Sequence, residues 1–128
     1  MTSESAPQAP ELSVVVPVKD EAENVRPLID EITAALRGRV AFEIVYVDDG
    51  SGDATPAVLA TARAEVPELR VLRHEKNAGQ SAGVRSGVKA ARAPLVVTLD
   101  GDGQNDPADI PKLLDAYRAA APGERVRL

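Results

Sequence analysis

The feature that most constrains the fold is a regular alternation of short apolar runs with segments of helical periodicity. The runs cover residues 12–16, 42–47, 69–72 and 95–99. Each has the length of a strand and falls far short of the roughly 20 residues that cross a bilayer. Alternating buried strands and amphipathic helices are typical of βαβ units. The sequence therefore predicts an α/β, Rossmann-like fold, with a mostly parallel sheet and helices on both faces.

The helical segments are defined by apolar residues three or four positions apart and by residues that commonly cap helices. The predicted caps are Asn24, Asp53, Asn77 and Asp106, and Pro107 strengthens the fourth start. The residues predicted to face inward are Val25, Leu28, Ile29, Ile32 and Leu36, then Val58, Leu59 and Ala62, then Ala82, Val84 and Val88, and finally Ile110, Leu113, Leu114 and Tyr117.

Composition excludes several classes of function. The chain has no cysteine and one histidine, which excludes disulfides, cysteine-ligated metals, thiol nucleophiles and histidine clusters. Its formal charge is −5 at pH 7, so nucleic acid is not an expected partner and no general attraction to anionic lipid is expected. Because no apolar segment resembles a signal or a membrane span, the predicted location is cytoplasmic.

Acidic residues follow two of the predicted strands, where α/β sheets bind their ligands. Asp48 and Asp49 follow the second run, and Asp100, Asp102 and Gln104 follow the fourth. Two carboxylates and an amide oxygen are hard ligands that suit Mg²⁺ or Mn²⁺, with phosphates and water completing the shell. Acidic residues are also common in turns, so a purely structural role for both stretches remains an alternative.

Other nucleotide and metal motifs are missing. No glycine occurs in residues 17–24, where a dinucleotide-binding fingerprint needs several, and the chain contains no P-loop. Asp100 and Asp102 do not begin a calcium loop, because Asn105 and Pro111 replace its glycine and its glutamate. His74 is interpreted as a capping or surface residue.

Taken together and in order, the motifs resemble the nucleotide-sugar-binding half of the family 2 glycosyltransferases with the GT-A fold. The segments that carry the resemblance are residues 14–17, 20–21, 47–51, 77–80 and 100–104. The residues in these segments are most similar to the branch that includes dolichol-phosphate mannosyltransferases and bacterial polyprenyl-phosphate glycosyltransferases.

The resemblance implies roles for particular residues. The nucleotide would contact the segment after the first strand and the end of the second, while the acidic motif after the fourth strand would hold the metal and approach the sugar. The implied nucleotide-sugar-binding residues are Pro17, Lys19, Glu21, Val47, Asp48, Asp49, Asp100 and Gly101, and the implied Mg²⁺ or Mn²⁺ ligands are Asp100, Asp102 and Gln104.

The expected activity is metal-dependent, inverting transfer of a sugar from a nucleoside-diphosphate sugar to a lipid phosphate, at the inner face of a membrane. No catalytic base is assigned. Two alternatives are a fragment or pseudoenzyme that binds nucleotide sugar without transferring it, and a haloacid-dehalogenase-like phosphatase. In such a phosphatase, however, the Asp-x-Asp motif follows the first strand and not the fourth.

The domain is expected to occupy residues 11–121, between a disordered lead-in over residues 1–10 and a tail over residues 122–128. Because the resembled fold continues beyond this length, the domain is expected to be truncated. The fourth strand is predicted to lie beside the first, with its outer edge open to self-association.

Overall fold

All four apolar runs form strands, and the strands alternate with four helices. The computed structural model describes residues 9–102 and 105–119. The elements, in chain order, are β1 (Leu12–Val18), α1 (Ala22–Leu36), β2 (Phe42–Asp49), α2 (Thr55–Glu65), β3 (Leu69–His74), α3 (Gln80–Ala90), β4 (Leu95–Thr98) and α4 (Asp109–Ala119). Most of the predicted lead-in, all of the predicted tail and Gln104 lie outside the described residues.

The sheet has the order β3-β2-β1-β4, and every neighbouring pair is parallel. Val14, for example, pairs with Ile44 on one side and Val97 on the other. The α/β class and the place of β4 beside β1 are confirmed. Among the described strands β4 is an edge, and self-association through it stays a prediction.

Helices cover both faces of the sheet, as predicted. On one face α1, α2 and α4 bury a large core that includes Val14, Ile44 and Tyr46. On the other face α3 packs over a smaller cluster built on Val15 and Val47. No helix in the described ranges is long and apolar enough to cross a membrane.

The inward face of α3 was predicted wrongly. Gly83 and Gly87 are its buried residues, whereas Val88 is 44% exposed. The helix lies so close to the sheet that a Cβ at residue 87 would come within 2.3 Å of the Cγ1 of Val15. Because glycine carries no hydrophobic side chain, the apolar periodicity pointed to the wrong face.

The four predicted caps do not occupy the N-cap positions of their helices, since the N-cap of α2 is Ala54 and α4 begins only at Asp109. Asn24 lies inside the first turn of α1, and Asn77 lies in the loop before α3, which begins after Gly79. In contrast, Asp53 accepts a hydrogen bond from the amide of Thr55 (2.8 Å), and Asp106 accepts one from the amide of Ala108 (3.0 Å). These two acids open the turns that lead into α2 and α4.

Candidate functional site

A cleft of about 290 Å³ opens at the carboxyl ends of the strands. Seven of the residues singled out by sequence line it: Pro17, Lys19, Glu21, Asp49, Asp100, Gly101 and Asp102. Val18, Asn77, Gly79 and Gln80 complete the lining. A larger depression of about 420 Å³ lies at the amino ends of the strands, where Arg37 pairs with Glu68 and Arg70 pairs with Glu43. The motifs converge on the first cleft, so it is the candidate site.

The loop after β1 is fixed by the loop after β2. The amide of Asp20 donates to the hydroxyl of Ser51 (2.9 Å), and the carboxylate of Asp20 accepts from the amide of Gly52 (2.8 Å). The amide of Glu21 donates to the hydroxyl of Thr55 (3.0 Å). Asp20 holds a left-handed backbone (φ 55°), which costs energy in a residue other than glycine and is maintained by these bonds. They start α1 at Ala22, two residues before the predicted cap.

The carboxylate of Asp49 organises the opposite wall of the cleft. Its Oδ1 accepts from the amide of Ala78 and from Nδ1 of His74, and its Oδ2 accepts from the amide of Gly79, each at 2.8 Å. Burial alone would raise the pKa of Asp49, but these hydrogen bonds outweigh it and hold the pKa below its ordinary value. Asp49 therefore fixes the loop between β3 and α3.

His74 takes part in this arrangement, which the sequence interpretation of a capping or surface residue missed. Its Nδ1 contacts Asp49 and its Nε2 contacts the hydroxyl of Ser86, both at 2.8 Å. The order Asp49–His74–Ser86 is that of a hydrolytic triad. Ser86, however, lies in the middle of α3, where the backbone amides donate to carbonyls of the same helix and are not available to an oxyanion. The histidine instead ties α3 to the end of β2.

Asp100 and Asp102 occupy the third side of the cleft, and both are exposed. Asp100 accepts a hydrogen bond from the Nε2 of Gln80 (2.9 Å). Gly101, between them, is pressed against β1, since a Cβ there would lie 2.2 Å from the Cγ1 of Val18. The absence of a side chain at this position therefore lets the acidic loop close over the end of β1, a packing reason that the sequence did not reveal.

Val47 and Asp48 are not among the residues that line the cleft. Val47 belongs to the buried cluster beneath α3. Asp48 is buried, with its Oδ1 accepting from the amide of Ser51 (3.0 Å) and its Oδ2 3.9 Å from the Nε of Arg73. Their predicted contacts with a nucleotide stay predictions.

The charge of the cleft is strongly unbalanced. Among the described residues that line it, the carboxylates of Glu21, Asp49, Asp100 and Asp102 stand against the ammonium group of Lys19. No group of three or more His, Asp or Glu side chains in the described residues is arranged to hold a metal ion. Asp100 and Asp102 nevertheless suit a cation that takes one or two protein carboxylates and completes its shell from phosphate and water.

We expect the free energy of unfolding to fall as the pH drops below about 4, the ordinary value for a carboxyl group. The pKa of Asp49 is lower in the folded chain than in the unfolded one, so its stabilisation is complete above the unfolded pKa. That stabilisation is lost as the pH falls through the folded value. Urea unfolding between pH 7 and pH 2.5 measures it. Asp49→Asn should show a smaller pH dependence, and an equal dependence would contradict this account.

Comparison with known proteins agrees with this geometry. Residues 13–122 match the sequence model of the family described as Glycosyl transferase family 2. Dodecaprenyl-phosphate galacturonate synthase of Rhizobium johnstonii is 42% identical over 112 residues, which cover 84% of this chain and 32% of the relative. Undecaprenyl-phosphate 4-deoxy-4-formamido-L-arabinose transferase of Yersinia pestis is 39% identical over 106 residues, which cover 80% of this chain and 32% of the relative. The chain thus spans about a third of the length of these curated relatives.

Among solved structures, the mannosyltransferase PcManGT from Pyrobaculum calidifontis, in complex with GDP-Man and Mn²⁺, superposes with a TM-score of 0.75 at 23% identity. The alignment covers 94% of this chain and 36% of that one. The parallel sheet and its helices are therefore those of the GT-A fold, as the sequence predicted. Since the family match extends over most of the sequence, the chain belongs to glycosyl transferase family 2.

Proposed function

We propose that this chain forms the donor-binding half of a metal-dependent glycosyltransferase. The donor is a nucleoside-diphosphate sugar, and the acceptor is a polyprenyl phosphate at a membrane surface. The observation that carries the proposal is the acidic cleft, in which four carboxylates face one ammonium group. A diphosphate is repelled by such a cleft, and a divalent cation would offset the repulsion.

Asp100 and Asp102 are the residues that would hold Mg²⁺ or Mn²⁺, with Gln104 as a further ligand. The described pair is exposed at the cleft and offers oxygen donors. The ion, when bound, would neutralise the charge that grows on the departing diphosphate. A neighbour of the same fold was solved with GDP-Man and Mn²⁺, which supports a divalent cation beside a nucleotide sugar.

The remaining cleft residues would bind and orient the donor. Lys19, the one positive side chain among the described lining residues, would pair with a phosphate. Pro17 and Glu21 would contact the nucleotide along the loop after β1. Asp49 would act mainly through the wall that it holds, because both of its oxygens already accept hydrogen bonds from within the protein.

Two features support a lipid-phosphate acceptor. The names of both curated relatives specify a polyprenyl phosphate, and each relative is more than 35% identical to this chain. An ionised phosphate is a nucleophile that needs little deprotonation, so inverting transfer does not demand a strong base among the described residues. The sugar would pass to the phosphate oxygen, and the nucleoside diphosphate would leave from the opposite face.

A second candidate is nucleotide-sugar binding without transfer. The chain spans about a third of its relatives' length, so groups that bind the acceptor in those proteins could lie outside the matched region. A transfer assay with undecaprenyl phosphate, run beside a donor-binding titration, separates the two functions. Binding with turnover supports transfer, and binding alone supports the second candidate.

The proposal is tested by calorimetric titration with UDP, GDP and CDP in the presence of Mn²⁺ and again in excess EDTA. We expect one of the three to bind with Mn²⁺ and to lose at least about tenfold in affinity in EDTA, since phosphates must then enter the acidic cleft without a divalent cation. The corresponding monophosphate, which lacks the second phosphate, is the control and should depend less on the metal. Equal affinity with and without EDTA would contradict the proposed role of the cation.

A further inference from the structure

The outer face of α3, with the turns before and after it, carries four cationic side chains in an otherwise acidic protein. Between Lys76 and Leu99 the sequence contains no Asp or Glu, although it contains Lys76, Arg85, Lys89 and Arg92. All 20 acidic residues of the chain lie outside this stretch. Although the net charge is −5, the charges are distributed unevenly, and these four cations form a basic surface that we call the α3 basic face.

All four side chains of the α3 basic face are exposed. None of them forms an ion pair with a described residue, whereas Arg26 on α1 and Arg37 just after it pair with neighbouring carboxylates. The inner side of α3 is fixed against the sheet through its two buried glycines. The basic face is thus held towards solvent by the packing of the helix.

Local stability does not explain this arrangement. Arg85 and Lys89 are four residues apart on α3, so their like charges neighbour one another, whereas Arg92 follows the end of the helix. Such pairs destabilise a helix slightly. Lys89 lies in the last turn and gains from the helix dipole, but Arg85 lies in the middle of α3 and does not. Exposed Val88 stands among these cations.

We propose that the α3 basic face docks the domain on a bilayer surface that contains anionic phospholipid. Basic side chains around a small exposed apolar residue complement anionic headgroups and the layer just below them. A nucleic acid fits less well, because the stretch contains no aromatic side chain on which bases could stack. The choice of a membrane rests on the proposed function, whose acceptor is a lipid phosphate.

The geometry connects this surface with the cleft. Gly79 and Gln80, at the start of α3, line the cleft, and the helix runs roughly 16 Å from there to its other end. A helix lying along the bilayer surface would hold the mouth of the cleft at the level of the headgroups. A phosphate carried by a membrane lipid could then reach the site without leaving the interface.

The test is sedimentation of the 128-residue chain with vesicles of phosphatidylcholine, with and without 30% phosphatidylglycerol. We expect binding only to the anionic vesicles, weakening between about 50 and 300 mM salt. Arg85→Gln, Lys89→Gln and Arg92→Gln combined should reduce binding by up to about a hundredfold, since each cation near such a surface contributes about fivefold. Arg39→Gln, Arg63→Gln and Lys112→Gln combined give the same net charge and should bind within about threefold of wild type.

Three outcomes would overturn the proposal: equal losses in the two triple variants, equal binding to both kinds of vesicle, or tighter binding to single-stranded RNA than to anionic vesicles. Circular dichroism of each variant shows whether it is folded, and the exposed positions make glutamine tolerable there. The vesicles contain neither polyprenyl phosphate nor nucleotide. Failure of vesicle binding therefore leaves the donor titration intact, and failure of the donor titration leaves vesicle binding intact.

Discussion

Replacing Asp102 by asparagine is expected to abolish the metal dependence of nucleoside-diphosphate binding, with a loss of about a hundredfold in affinity when Mn²⁺ is present. The substitution keeps the size of the side chain but removes the charge that a divalent cation requires. Asp102 is exposed at the mouth of the cleft, so the melting temperature should change little. The measurement is a calorimetric titration of the variant with and without EDTA.

The matched control for this substitution is Asp115→Asn on α4, an exposed acid outside the cleft. It changes the net charge equally and should leave the metal dependence of wild type in place. Asp100→Asn is informative as well, because it removes the charge of Asp100 while keeping an oxygen that can accept the hydrogen bond from Gln80. If Asp102→Asn kept full Mn²⁺-dependent affinity, Asp102 would not be a ligand.

Much of the site could be predicted because a parallel sheet collects distant residues in a simple way. Because the strands are parallel, β1, β2 and β4 have their carboxyl ends on the same side of the sheet, and the residues that follow them come close together there. Strand assignment alone therefore placed Asp49, Asp100 and Asp102 together, whereas Lys19 and Glu21 were predicted from the resemblance to the glycosyltransferase family, and all five line one cleft. The residue types then indicated a cation and phosphates.

The partners of Asp49 could not be predicted in this way. They are amides 29 and 30 residues further along the chain, in a loop that carries no hydrophobic or charge pattern. The role of His74 was missed for a related reason, since a lone histidine after a strand shows nothing of the Ser86 hydroxyl on the next helix. Hydrogen bonds between loops depend on tertiary packing, which periodicity does not describe.

Another feature that the periodicity does not predict lies at the amino ends of the strands. Glu43 belongs to an apolar strand, and its side chain is only 6% exposed. Its carboxylate accepts hydrogen bonds from the hydroxyl of Ser13 (2.6 Å), a guanidinium nitrogen of Arg70 (2.8 Å) and the amide of Arg92 (2.7 Å). Burial alone would raise the pKa of Glu43, but these donors lower it below its ordinary value. Glu43 thus joins β1, β3 and the turn before β4.

Glu43→Ala is accordingly expected to lower the free energy of unfolding by about 3 kcal/mol, because it removes a buried carboxylate that pairs with Arg70 and accepts hydrogen bonds from two further donors. Urea unfolding followed by circular dichroism at pH 7 measures the change. Glu65→Ala removes an exposed ion pair with Arg26 and, as the matched control, should cost less than about 1 kcal/mol.

Because the Glu43 network lies at the amino ends of the strands and the donor cleft at their carboxyl ends, the stability loss should not be accompanied by a specific loss of ligand binding. The fraction of Glu43→Ala that remains folded should bind nucleoside diphosphate with the affinity of wild type. Asp102→Asn should behave in the opposite way and lose affinity without losing stability. A stability cost no larger than that of Glu65→Ala would show that the buried carboxylate does not hold the strands together.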